Sequence, residues 1–157
     1  MPVQIGASAA SEGLLGLPLE CHQRIRHFVG LAVTISNTEA SPAVAQAAAE
    51  VRRYFEQALP LHVADEVPLL PPCVALDRMS AEHSAHQPLL ADFVALLAAV
   101  TPSEVPPGLA PLALRLATDL EFHLLAEETQ IFPLLATLSE AEQDTLVRQM
   151  RQRRHSP

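Results

Sequence analysis

Two histidine–glutamate pairs stand out in the chain: His62 with Glu66 inside LHVADEVPLLP, and His123 with Glu127 inside EFHLLAEETQIFP. In each, the Glu follows the His by four residues, a spacing that a helix converts into one face, so each pair can offer an imidazole and a carboxylate to the same ion. His22 and His83 complete the pattern. The intervals along His22, His62, His83 and His123 are 40, 21 and 40 residues. Their midpoints fall near Ser41-Pro42, Pro71-Pro72 and Thr101-Pro102-Ser103, three segments that read as turns. Residues equidistant from a turn between antiparallel helices sit at one height. The spacing therefore predicts an all-α fold, an antiparallel up-down four-helix bundle, with four His and two Glu at one level of its interior, where metal sites of bundles are built.

The helices needed to carry these residues are legible. Helix A is expected over about 18–38, with Ile25, Val29 and Val33 on the face of His22. Ser41-Pro42 is a helix start, Ser as N-cap and Pro at the first helical position, and Val44, Val51, Phe55 and Ala58 lead along one stripe to His62 and Glu66. Pro60 removes a backbone donor, so the helix either kinks there or ends early. A third helix over about 73–100 places Met79, His83, His86, Leu90, Phe93 and Leu97 inward, with Pro88 as a bend. The proline-rich segment 101–111 is the longest loop. A fourth helix carries Leu112, Leu116, Leu120, His123, Glu127 and Leu134 to about 137, and Ser139 with Glu142 forms a capping box for a short final helix. The expected division is a mobile lead-in over 1–16, the bundle over 17–138, and a C-terminal helix and tail over 139–157. The arms from the outer turns are about 30 Å and those from the central turn about 15 Å, so the site lies toward the end holding the N-terminus and the central turn.

Composition narrows the partners. With 157 residues the chain suits one domain, and its 49% hydrophobic and 4% aromatic content, mostly Ala, Leu and Val, favours helices. A net charge of -8 argues against nucleic acid. The basic stretch from Arg148 to Arg154 reads as solvated last turns of a helix. Cys21 and Cys73 form no CxxC and are expected reduced. No signal-peptide pattern and no ~20-residue apolar run is present, which predicts a soluble cytoplasmic chain without a membrane role. Asp65 and Glu128, each adjacent to a ligand candidate, read as solvated residues or hydrogen-bond partners of ligand imidazoles. His27 and His155 read as surface residues, Cys21 as a packing residue pointing away from the site, and Tyr54 as packing or a nearby hydrogen-bond donor.

The segments CHQRI, HVADE followed by LLP, Glu82-His83, and HLLAEETQIFP together resemble the bacterial hemerythrin-like family of HHE cation-binding domains, over about residues 18–136. The resemblance implies a four-helix bundle around a non-haem di-iron centre, oxo- or hydroxo-bridged. His22, His62, His83 and His123 would then be terminal ligands and Glu66 and Glu127 bridging carboxylates. Implied functions are binding of O2 or NO, or sensing of iron, oxygen or redox state. Oxygen carriers of the family place a further His four residues after the third-helix His. Here that position is Gln87, and His86 stands at i+3, either as a fifth ligand or as a hydrogen-bond partner of one. Val67-Pro68 replaces residues that are usually acidic. Two other classes remain: a ferritin-like ferroxidase or peroxide-consuming di-iron enzyme, against which the absence of any Glu-x-x-His speaks, and a bundle with a purely structural metal. No nucleophile–base arrangement or phosphate loop is visible, so a binding protein rather than an enzyme is expected. A sensor of this kind would signal through a separate protein partner.

Overall fold

The computed structural model of the chain describes residues 13–66 and 74–155, all helical apart from turns, caps and one isolated bridge between Thr101 and Glu104. The helices are α1 (Gly16–Ser36), α2 (Pro42–Gln57), α3 (Leu59–Glu66), α4 (Val74–Ala98), α5 (Leu109–Gln130), α6 (Phe132–Leu135) and α7 (Glu140–His155). The predicted starts hold. The Ser41 hydroxyl accepts from the Val44 amide with Pro42 at the first helical position. Glu142 accepts from both the amide and the hydroxyl of Ser139.

Pro60 resolves its two alternatives in favour of an early end. α2 stops at Gln57, Ala58 caps it, and α3 restarts at Leu59. Pro60 thereby falls in the first turn of a new helix, where a missing N–H costs nothing. Pro88, by contrast, sits inside α4 without ending it. The fourth predicted helix also divides, at Ile131, and Pro133 lies in the short α6. That break leaves Leu134 exposed instead of inward as expected, and Val33 is only half-buried, its place taken by Ala32.

α1 packs on α2 and α5, and α4 packs on the same two, closing a four-membered ring. The main core fills it with Ile25, Val51, Phe55, Phe93, Leu97 and Leu116, among others. A smaller cluster of Leu14, Met79, Ile131, Phe132, Leu135, Val147 and Met150 closes the end to which α7 is docked. Residues 1–12 of the expected lead-in, the Pro71-Pro72 turn and Val67-Pro68 lie outside the described residues. Leu14, within the expected lead-in, is buried in the smaller cluster. Among the described residues no helix is long and apolar enough to cross a membrane.

Candidate metal centre

The six candidate ligands meet between the two apolar clusters. His22 comes from α1, His62 and Glu66 from α3, His83 from α4, and His123 and Glu127 from α5. Their ligand atoms form two groups: His22, His62, Glu66 and Glu127 in one, Glu66, His83, His123 and Glu127 in the other, with the four atoms of each within 4.8 Å of one another. Both carboxylates belong to both groups. Glu127 turns Oε2 to His22 Nε2 at 2.8 Å and to His62 Nε2 at 3.9 Å. Its Oε1 lies 2.6 Å from His123 Nε2 and 3.7 Å from His83 Nε2. Glu66 places Oε1 2.7 Å from His62 Nε2 and Oε2 2.9 Å from His83 Nε2. Donors about 2.1 Å from a shared ion stand no more than about 4.2 Å apart, so these spacings suit common ions.

Behind the donors, two hydrogen bonds set the imidazole tautomers. His22 Nδ1 lies 2.8 Å from Glu128 Oε1, and His123 Nδ1 lies 2.7 Å from Glu82 Oε2. A carboxylate only accepts, so each Nδ1 carries the proton and, in a neutral ring, leaves the Nε2 lone pair facing inward. Each carboxylate is in turn held by an arginine: Arg26 donates to Glu128 and through two nitrogens to Glu121, while Arg78 donates to Glu82. Glu128 thus takes the second of its two expected roles. In the sequence Glu82 figures only as part of the Glu82-His83 motif, without a role, and the two arginines are not marked, although His22/Arg26 and Arg78/Glu82 both carry the i,i+4 spacing that points to them.

His86 stands beside His123, ring centroids 5.6 Å apart, and belongs to neither group of ligand atoms. His27 and His155 are exposed as expected, and Tyr54 packs, stacking on Phe28 at 4.1 Å. Three other expectations fail. Asp65 is not solvated: it is 3% exposed and paired with Arg153 and Arg154, which removes that end of α7 from the solvated class too. Cys21 does not point away, because Arg154 donates to its sulfur and it lines a cavity together with His22, His62 and Glu66. The break at Ala58 redirects α3 toward α1 and α7, which the continuous stripe could not foretell.

The family model of the Hemerythrin HHE cation binding domain matches residues 19–135, with a second, overlapping match over 74–155. The chain belongs to this hemerythrin family. No curated protein and no solved structure matches it. A hemerythrin-like helical bundle whose His/Glu cluster is positioned for cations accounts for the buried polar atoms that otherwise lack a purpose. His22 Nε2, His62 Nε2, both oxygens of Glu66 and Oε1 of Glu127 are buried and face one another inside the cluster at 2.6 to 2.9 Å.

In the metal-free hemerythrin-like chain, protons stand in for cations. Burial pushes His62 down, but contacts with Cys21 and Glu66 and the charge of Glu127 outweigh it and raise the imidazole to about 10. Burial likewise opposes, and Glu127 and Glu66 override, in His83, which rises to about 9. Burial favours the neutral form of Glu127, yet the imidazoles of His123, His22 and His83 hold it far below the usual carboxylate range. The raised imidazoles stabilise the fold fully below their unfolded value of about 6.5 and lose that contribution as pH climbs through 9 to 10. Thermal melts of metal-free chain are therefore expected to show a midpoint several degrees lower at pH 10 than at pH 6.5. A flat profile over that range would contradict the paired, protonated cage.

Proposed function

We propose that this chain holds a pair of iron ions between α1, α3, α4 and α5 and uses them to bind a small diatomic ligand, O2 or NO, as a carrier or sensor in the cytoplasm. The observation that carries the reading is the sharing of Glu66 and Glu127 between two four-donor groups. A single ion has no use for two such groups, whereas two cations held close need carboxylates between them to offset their repulsion. A donor set of four imidazoles and two carboxylates suits iron in either common oxidation state. When bound, the iron pair supplies the electrons that small oxidising ligands require.

The residues of the chain do the rest. His22 and His62 would hold one ion and His83 and His123 the other, with Glu66 and Glu127 available to both. Glu128 and Glu82 keep His22 and His123 in the ligating tautomer. A cavity lined by Ile25, Leu59, Leu90, Leu120 and Leu124 adjoins His83 and His123. Its apolar wall admits an uncharged diatomic more readily than a charged solute, and His86 and Gln87 also line it. This supports binding over turnover, with any signal passed to a separate protein partner.

The test is metal content with optical spectra. Anaerobic loading with Fe(II) is expected to give about two irons per chain and a nearly colourless protein, which gains near-ultraviolet charge-transfer bands on exposure to air. One iron per chain, or zinc uptake with no iron uptake, would overturn the di-iron reading, and sustained turnover of Fe(II) or peroxide would move the chain to the ferroxidase class.

A further inference from the structure

α3 carries two of the six ligand candidates, including one of the two shared carboxylates, yet it is the least self-sufficient of the helices that carry them. It has eight residues, is cut from α2 at Ala58, and buries a single apolar side chain, Leu59, besides His62 and Asp65. Helices shorter than about 12 residues are marginal unless tertiary contacts hold them. α3 finds those contacts on α1 and on α7, the latter outside the four-helix ring. Arg153 Nε lies 2.7 Å from Asp65 Oδ1, and Arg154 Nη2 lies 2.6 Å from Asp65 Oδ2. The same Arg154 nitrogen donates to Cys21 Sγ at 3.1 Å, tying α3 to α1 one residue from His22. Both arginines are more than two-thirds covered and Asp65 is almost wholly so. A buried carboxylate left without its cations is strongly destabilising, so an undocked α7 leaves α3 with a charge it cannot keep inside.

We propose that α7 is a working part of the metal centre, with Arg153 and Arg154 as positioning residues that set His62 and Glu66 by holding Asp65. The inference rests on the reading of the cluster as a metal centre. Asp65 follows His62 by three residues and precedes Glu66 by one, so a rotation of α3 about its axis moves all three together. Because Glu66 serves both four-donor groups, loosening α3 weakens both ions and not only the one at His62. Linkage makes the effect reciprocal: if docking of α7 strengthens metal binding, metal binding strengthens the docking of α7 by the same factor. The C-terminal helix then reports whether the centre is loaded.

Fe(II) titration under argon is compared for the native chain, R153A/R154A, R153K/R154K and D65N, alongside hydrogen exchange of the α7 amides in the native chain with and without metal. The double alanine variant is expected to bind about 10- to 100-fold more weakly, in the range seen for groups behind metal ligands, and the lysine pair to recover much of the loss. Exchange in α7 should slow on loading in the native chain and respond far less in D65N. Native affinity in a folded double alanine variant, or α7 exchange indifferent to metal in the native chain, would overturn the proposal. A lowered melting temperature with unchanged affinity would do the same, since a merely structural ion pair behaves that way. Absence of metal uptake by the native chain would instead defeat the di-iron reading itself, an outcome the native titration identifies alone.

Discussion

Glu127→Ala is expected to empty both halves of the centre at once. The two Glu127 oxygens lie between 2.6 and 3.9 Å from the Nε2 atoms of His22, His62, His83 and His123, so one side chain touches all four imidazoles. Removing it leaves Glu66 as the only carboxylate among the six candidates and takes away a charge that raises His83 and His123 in the metal-free chain. Under loading conditions that bring the native chain to about two irons, the variant should retain essentially none. Stability reads the same loss independently. Free metal at about 1,000 times its dissociation constant adds about 4 kcal/mol to a folded state that binds it, which in a chain of this length raises the melting temperature by roughly 8 to 16 °C. The native chain should show that rise and Glu127→Ala should not. Two irons per chain in the variant would remove Glu127 from the centre.

Phe93→Ala should damage the fold and spare the chemistry. Phe93 is fully buried on α4, edge-to-face with Phe55 of α2 at 5.1 Å, in the main core away from the ligands. Truncating a buried Phe to Ala costs about 3 to 5 kcal/mol, because the transfer energy is lost and the cavity refills only in part. At this size that is a fall of roughly 6 to 20 °C in melting temperature. Folded variant at low temperature should still load like the native chain. A change below about 1 kcal/mol in denaturant melts would mean that the helix ring is not closely packed at this level, and a change in iron stoichiometry would tie Phe93 to the centre after all.

Contrasting these two positions shows where the information lies. Periodicity places Phe93 on the inward stripe, and pairing at i,i+4 together with equal distances to the turns gives the six ligand candidates. All of those are properties of the backbone path: helical rise and repeat are nearly invariant, so counting residues from a turn gives height, and counting modulo the repeat gives face. That is why the bundle, the six residues and their common level were legible, and why the family relationship could be stated from the motifs. The standing of His86 was not, since an i+3 offset leaves a side chain near a face without saying which neighbour claims it.

Determined by the sequence itself were thus the helices, their order and the six residues that share a level. Left to the tertiary structure was everything behind those residues: Glu82 and Glu128 on the outer nitrogens of His123 and His22, and Asp65 drawn inside by two arginines from α7. The physical reason is that such contacts join side chains 41 to 106 positions apart, and depend on how each helix is rotated about its own axis and on where a proline lets one begin again. A charged residue next to a ligand looks solvated until another element brings the opposite charge to cover it, and no local periodicity records that arrival.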